Sequence, residues 1–239
     1  MAKIKSAGEI TFKINGEHTP GYLAVPEASA PVPGVIVIQE VWGLNDDIKR
    51  IARMFAEAGY AALSPDLYHG NESEEMEEAR KFAMAMQKER AAQDIDAAIK
   101  HLKALPEVQG SPVAMIGFCM GGGLTLETAI RGGDIAVGAC FYGGTQTDLQ
   151  QISRIGVPIF CAYGADDHLI TLEQVEGIRK ALETSNIDHE LRVYQGAGHS
   201  FFNEVKPDWY RSGTSQEAWE HVRVFFDRAL QKLGTATPT

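Results

Sequence analysis

The chain contains few cysteines and no long apolar run. Its 239 residues include three cysteines, an odd number without a Cys-x-x-Cys pair. This set predicts neither a disulfide framework nor a zinc site, and we expect no metal and no cofactor. The strongest apolar run, residues 35–38, is far shorter than a membrane span, and the first residues carry no signal-peptide pattern. We therefore expect a protein of the reducing cytoplasm.

Positive charge is also scarce. Lysine and arginine number 22 against 32 aspartate and glutamate residues, which gives a formal net charge of −10. Phosphate backbones and anionic lipid headgroups do not attract such a surface, so neither nucleic acid nor a membrane is an expected partner. With 44% hydrophobic residues and no internal repeat or linker, the chain fits one domain over residues 1–239. The sequence leaves open a monomer or a small homo-oligomer.

Strand-like and helix-like segments alternate along the chain. Residues 10–25 predict a hairpin with Asn15 and Gly16 at its turn, and residues 34–38 predict a strand buried on both faces. Later strands are expected at 61–63, 113–116, 135–141, 157–163 and 190–194, and helices at 45–58, 72–105, 120–130, 172–183 and 216–233. The second helical segment is expected to break near residues 88–91. This alternation predicts an α/β fold with a doubly wound, mostly parallel sheet, helices on both faces and no large cap domain.

The most informative motif is MIGFCMGGG at residues 115–123. An apolar strand ends here, Cys119 follows between glycine-containing flanks, and a helical pattern begins. This arrangement is typical of the nucleophile elbow of α/β-hydrolases, in which the strained turn excludes side chains at neighbouring positions. The helix N-terminus also favours a thiolate at Cys119. The alternative is a buried structural cysteine in a glycine-rich turn.

Two later segments supply an acid and a base in the order expected for this fold. Residues 158–170 (PIFCAYGADDHLI) carry a strand and then Gly-x-x-Asp, which selects Asp167; Asp166 competes for the role and is expected to serve the loop backbone. Residues 193–201 (VYQGAGHSF) place His199 in a glycine-rich loop after a strand. His168 has no partner spacing for a metal and is interpreted as loop packing.

These three segments predict a Cys-His-Asp triad. His199 would take the thiol proton of Cys119 and later protonate the leaving group. Asp167 would hold the imidazole tautomer and stabilise its positive form. Each segment alone is a weak signal, but together, in order and each at a strand end, they predict a hydrolase.

At these residues the chain resembles the dienelactone hydrolases (carboxymethylenebutenolidases). The resemblance extends from residue 21 to residue 226 and is most specific at QEVWGLN (39–45), SPDLY (64–68), GFCMGG (117–122), GADDH (164–168) and AGHSF (197–201). It implies the triad roles for Cys119, Asp167 and His199. It also implies that Glu40 is an extra carboxylate that meets the resting thiol, and that the backbone N–H groups of Val41 and Met120 form the oxyanion hole.

The resemblance also bears on the substrate. Enzymes of this family that act on dienelactones bind the substrate carboxylate with arginines, one of them shortly after the catalytic histidine. Here Asn203 stands at that point, and Arg80 is only a loose match for the other. We therefore expect an apolar or aromatic ester or enol lactone, contacted by Trp42, Tyr68, Ser200, Phe201 and Phe202.

Three functional hypotheses remain open on the sequence. The first is hydrolysis of a small-molecule ester or lactone through a thioester intermediate, with an oxyanion hole that would also allow slow side activity on activated phosphoesters. The second is a thioesterase or a general carboxylesterase with the same residues. The third belongs to another class, a non-catalytic redox-sensing thiol protein, since fold does not guarantee function. A sensor would need a second cysteine near Cys119.

Overall fold

The computed structural model describes residues 1–14, 17–144 and 147–234. The chain divides into two compact units, one comprising Met1–Met115 and the other beginning at Ile116. The boundary falls within a single strand, β5 (Val113–Phe118), which ends directly before Cys119.

The first unit contains four strands and three helices before β5. They are β1 (Ile4–Ile14), β2 (Glu17–Pro26), β3 (Gly34–Ile38), α1 (Asp46–Glu57), β4 (Ala61–Pro65), α2 (Met76–Ala85) and α3 (Lys88–Ala104). The strand order is β1-β2-β4-β3. β2 is antiparallel to both β1 and β4, and β3 is parallel to β4. The predicted hairpin is confirmed as β1–β2, although its expected turn residues lie outside the described part of the chain.

The second unit continues the alternation of helix and strand. Its elements are α4 (Met120–Ile130), β6 (Val137–Phe141), a 3₁₀ helix (Leu149–Arg154), β7 (Ile159–Gly164), α5 (Leu172–Thr184), β8 (His189–Tyr194) and α6 (Ser212–Gly234). Strands β6, β7 and β8 are neighbours in that order and run parallel. The predicted α/β class with mostly parallel strands is confirmed.

Burial explains why the apolar segments form strands. Every residue of β3, β4 and β5 is buried, as expected for parallel strands that are covered on both faces. Helix α1 buries the apolar face predicted by its spacing, including Ile48, Ile51 and Phe55. The side chain of Asn45 accepts a hydrogen bond from the Ile48 N–H at the start of this helix, and Gly59 follows its end with φ +95°.

Element boundaries differ from the expectation at several points. The break between α2 and α3 lies at Met86 and Gln87 rather than at residues 88–91, because the Ala91 N–H already donates to the Gln87 carbonyl and starts α3. Strand β6 begins at Val137 rather than at residue 135, and α6 begins at Ser212 rather than at residue 216. The 3₁₀ helix at Leu149–Arg154 was not expected from the sequence.

The turn between β5 and α4 consists of Cys119 alone. Its backbone adopts φ 51° and ψ −114°, a left-handed conformation that is uncommon outside glycine. The Cys119 N–H donates to the Phe141 carbonyl at 2.9 Å. A Cβ on Gly117 would lie 1.9 Å from the Gly121 carbonyl oxygen, and one on Gly122 would lie 2.9 Å from that of Phe141. The glycines of the motif are thus required by close backbone approach.

Gly117→Ala should destabilise the protein strongly, because its Cβ would overlap backbone atoms that cannot move aside. We expect a loss of more than about 2 kcal/mol in the free energy of unfolding. The matched control is Gly123→Ala in the same motif. A Cβ there meets nothing closer than the Gly144 nitrogen at 3.5 Å, and alanine favours the helix by up to about 1 kcal/mol. Urea denaturation measures both, and equal stability of the two variants would contradict this account.

Candidate active site

Cys119 lies at the N-terminus of α4, where its side chain is partly exposed. The other two cysteines, Cys140 and Cys161, are fully buried in neighbouring strands, as expected for small core residues. The first-turn N–H groups of a helix and its dipole stabilise negative charge on a side chain at this position. Of the three cysteines, Cys119 is therefore the one that is partly exposed and lies at a helix N-terminus.

The acid and the base lie on two loops that touch each other. The Ala165 N–H donates to the Tyr194 carbonyl at 2.8 Å, and the Asp166 N–H donates to the Ala197 carbonyl at 2.9 Å. A Cβ on Gly164 would lie 2.2 Å from that Ala197 oxygen, so only glycine allows the loop after β7 to approach the loop after β8. This contact brings the end of β7 beside the histidine loop.

His199 joins Cys119 to Asp167. Its Nε2 lies 3.1 Å from the Cys119 Sγ, and its Nδ1 lies 2.8 Å from the Asp167 Oδ2. The imidazole is mostly buried, with 15% of the side chain exposed. The structure thus brings the three sequence-predicted residues into one hydrogen-bonded chain, with the imidazole in the middle.

Asp167 rather than Asp166 belongs to this series of hydrogen bonds. The Asp167 side chain is fully buried, and its Oδ1 accepts from the N–H groups of Leu169 at 2.7 Å and Ile170 at 2.9 Å. These donors leave Oδ2 directed to His199. Asp166 is exposed, and its backbone N–H pairs with the neighbouring loop. Asp167, which the Gly-x-x-Asp spacing predicts as the acid, is therefore the one of the two carboxylates that contacts His199.

The groups that contact the His199 imidazole favour its protonated form. Burial alone would lower the pKa of His199, but its hydrogen bonds to Asp167 and Cys119 and their charges raise it to about 10. Burial alone would raise the pKa of Asp167, but the hydrogen bond and charge of His199, together with the amides of Ile170 and Leu169, hold it below its usual value. At neutral pH an imidazolium therefore lies between the carboxylate and the sulfur.

An aromatic cluster packs against the histidine, and one of its members was missed by sequence reasoning. Tyr142 is fully buried, has φ 37°, and packs edge-to-face on the His199 ring with a centroid separation of 5.2 Å. It also packs on Phe201, one of the residues predicted to contact substrate. Phe202, predicted for the same role, packs on Phe118. Tyr142 closes an apolar strand, and the sequence carries no signal that its ring reaches the imidazole.

The remaining predicted residues are distributed over both units. Met120 is the first residue of α4, directly after Cys119, and Ser200 follows His199 with φ 55° and a buried side chain. The first unit carries the others at the end of β3 and after β4. Of these, Glu40, Trp42 and Tyr68 are 2%, 3% and 6% exposed, and Val41 is half-buried.

Protonation of His199 should make part of the stability depend on pH. The folded pKa of about 10 lies above the usual value of 6.5, so the folded state binds more protons between these limits. The contribution is fully present below pH 6.5 and is lost as the pH rises through 10. The difference in unfolding free energy between the wild type and His199→Gln should therefore shrink from about pH 6 to about pH 10. Urea denaturation under reducing conditions measures it, and a constant difference would be incompatible with the raised pKa.

Among the described helices, none is both long enough and apolar enough to span a membrane.

Comparison with known proteins places this geometry in a family. A model of the dienelactone hydrolase family matches residues 19–230. The chain is 30% identical over 233 residues to a putative carboxymethylenebutenolidase from Synechocystis sp., covering 88% of this chain and 92% of the relative. A solved structure of a putative dienelactone hydrolase from Klebsiella pneumoniae matches with a TM-score of 0.86 and 25% identity, covering 93% of this chain and 98% of that one.

A second solved structure is that of a dienelactone hydrolase-like promiscuous phosphotriesterase from metagenomic libraries. It matches with a TM-score of 0.84 and 27% identity, covering 94% of this chain and 98% of that one. The family match spans most of the chain, and the structural matches extend the same fold across both units. The chain therefore belongs to the dienelactone hydrolase family and is an α/β-hydrolase that cleaves ester or lactone bonds of small molecules.

Proposed function

We propose that this hydrolase works through a Cys119–His199–Asp167 triad and a thioester intermediate. The observation that carries the proposal is the unbroken chain of contacts from Asp167 Oδ2 through His199 to the Cys119 Sγ, at 2.8 and 3.1 Å. A nucleophile within reach of a base that is itself oriented by a carboxylate is the general arrangement of covalent acyl transfer.

The proposed reaction has two halves. The Cys119 sulfur attacks the ester carbonyl while His199 holds the thiol proton. The developing oxyanion is stabilised by backbone N–H groups, for which we propose Met120 and Val41. His199 then protonates the leaving alcohol, and the acyl group remains on sulfur as a thioester. In the second half His199 takes a proton from water, the hydroxide attacks the thioester, and the proton returns to the thiolate as the acid leaves.

Glu40 is proposed as a regulator of the resting thiol. It is almost fully buried directly after β3, where a carboxylate is costly unless it has a specific partner. The C-terminal ends of strands are where α/β sheets bind ligands. A carboxylate beside the sulfur would raise the pKa of a thiol and keep it unreactive until substrate displaces the carboxylate.

The proposed substrate is an apolar or aromatic ester or enol lactone. Asn203, which is buried, stands where the resemblance would have an arginine for a substrate carboxylate. Apolar contacts alone discriminate weakly, by about 1–3 kcal/mol per methylene, so broad acceptance is expected. The metagenomic relative is a promiscuous phosphotriesterase, which supports a further proposal, slow side activity on activated phosphoesters at the same sulfur.

We also propose that residues 1–239 form one catalytic domain and that the enzyme works in the cytoplasm. All three cysteines are free. An oxidised nucleophile would be inactive, which supports a reducing compartment.

Cys119→Ala should lower kcat/KM by more than about a thousandfold, since the covalent step is lost while oxyanion stabilisation remains. The panel should contain aryl esters, enol lactones and thioesters, so that the highest kcat/KM distinguishes an esterase or lactonase from a thioesterase. Cys161→Ala, a buried cysteine outside the triad, is the matched control and should retain activity. Mass spectrometry of rapidly quenched wild-type enzyme should find the acyl group on the peptide that contains Cys119. Near-full activity of Cys119→Ala would refute the triad.

Asp167→Asn should lower kcat by about 10⁴-fold, because an amide favours the wrong imidazole tautomer. Asp166→Asn is the matched control on the neighbouring residue and should stay close to wild type, since that side chain is exposed. Steady-state kinetics on one aryl ester measures both variants. The reverse ranking would assign the acid to Asp166.

A further inference from the structure

A cavity in the first unit has none of the triad residues in its lining, although it includes Tyr68, which the sequence predicts to contact substrate. We call it the Tyr68 cavity; it has a volume of about 260 Å³. Its apolar wall consists of Leu67 and Tyr68, which follow β4, and of Phe82 and Met86, at and just after the end of α2. The rings of Tyr68 and Phe82 contact each other with centroids 5.8 Å apart. Since a dry cavity of about 150 Å³ holds benzene, this volume suits one aromatic ring with a short substituent.

The cavity is also lined by polar side chains, His69, Asn71, Gln87 and Arg90, and two of them, His69 and Arg90, are held by one buried carboxylate. The Asp94 side chain is fully buried. Its Oδ1 accepts from the Arg90 Nε at 3.2 Å and from the Thr19 hydroxyl at 3.1 Å, and its Oδ2 lies 2.9 Å from the His69 Nε2. The charge of Arg90 is therefore balanced by Asp94 within the cluster, and none of the described lining residues is acidic. An uncharged ligand would leave this balance of charge unchanged.

The bond to Asp94 also determines what His69 offers to a ligand. In its neutral form the imidazole must carry its hydrogen on Nε2, because a carboxylate oxygen can only accept, and Nδ1 is then an acceptor. None of the described residues bonds to Nδ1. His69 holds φ 52°, an uncommon conformation for a residue with a side chain, and Gly70 follows with φ 97°. With this backbone conformation at His69 and Gly70, the imidazole contacts Asp94 and lines the cavity.

We propose that the Tyr68 cavity binds a small neutral phenol. The ring would lie against Tyr68, Phe82 and Met86, and the hydroxyl would donate to the His69 Nδ1. The apolar wall supplies burial of the ring, and the His69 Nδ1 acceptor suits a ligand that carries a hydrogen-bond donor. The proposal is independent of the catalytic role proposed for Cys119.

Methionine methyl groups provide reporters for the test. Protein labelled with ¹³C at its methionine methyls is titrated with 4-methylphenol, and resonances are assigned by single Met→Leu substitutions. Met86 lines the cavity, Met120 follows Cys119, and Met84 is exposed on α2. We expect a saturable shift of Met86 with no shift of Met120 or Met84. The absence of a saturable Met86 shift, or a shift of Met120 alone, would overturn the proposal.

Variants and an analogue test the hydrogen bond. His69→Asn should weaken 4-methylphenol binding at least tenfold; asparagine tolerates positive φ, so the loop is preserved. His18→Asn, at an exposed histidine of β2, is the matched control and should bind as the wild type does. The analogue 4-methylanisole, which lacks the donor, should bind at least tenfold more weakly to the wild type. Equal binding by the analogue or by His69→Asn would overturn the assignment.

A second variant tests the cavity independently, in case His69→Asn weakens binding only because it disturbs the fold. Phe82→Ala removes a half-buried ring from the wall without touching the Asp94 cluster. It should also weaken binding at least tenfold while circular dichroism and the Met120 resonance stay unchanged. Unaltered binding in this variant would show that the phenol does not occupy the Tyr68 cavity.

Discussion

The site depends on one constraint, the close backbone packing that holds Cys119 in a left-handed conformation between β5 and α4. Such a conformation costs about 1–3 kcal/mol and persists only when its surroundings fix it. Three glycines allow this. Besides Gly117 and Gly122, Gly143 after β6 passes so near that a Cβ on it would lie 2.3 Å from the Cys119 carbonyl oxygen. The position of Cys119, the proposed nucleophile, is thus fixed by contacts between main chains, which deform little.

The histidine and the carboxylate are positioned in a different way. They lie on loops rather than in regular elements, and rigidity comes from hydrogen bonds between the loops and from the two amides that bind the Asp167 Oδ1. Tyr142 then restricts the imidazole from the side. Burial opposes charge on His199, but its two polar neighbours more than compensate by raising its pKa, so the ring is held as a cation at neutral pH.

The chain contains two carboxylate–imidazole pairs with nearly the same separation, 2.8 Å for Asp167–His199 and 2.9 Å for Asp94–His69. Their surroundings differ. The ring of His199 has a sulfur at its second nitrogen, the arrangement on which the proposed covalent chemistry rests. His69 has no nucleophile bonded to its second nitrogen among the described residues and lines an apolar cavity instead. We thus propose that the same bond serves catalysis in one unit and recognition in the other.

The sequence alone determined the features that local chemistry dictates. The continuous apolar runs predict buried strands, and glycines at fixed offsets mark the elbow and the acid loop. The order of Cys119, Asp167 and His199 at strand ends predicts a hydrolase, and the spacing from Gly164 predicts Asp167 as the acid. Each depends on steric rules that act within a few residues, so an unaligned sequence contains them.

Only the tertiary structure decided the contacts that join distant segments. Tyr142 and Asp94 carry no local signal, because a tyrosine at the end of an apolar strand and an aspartate within a helix are ordinary in any fold. Asp94 meets Thr19, 75 residues away, and Tyr142 meets His199 on a loop that follows two strands later. Such pairs form because packing of strands and helices places them together, and a pattern along one segment contains no information about the other side of a contact. The sequence thus predicted which groups would carry the chemistry, and tertiary packing determined their distances, their burial and hence their charge.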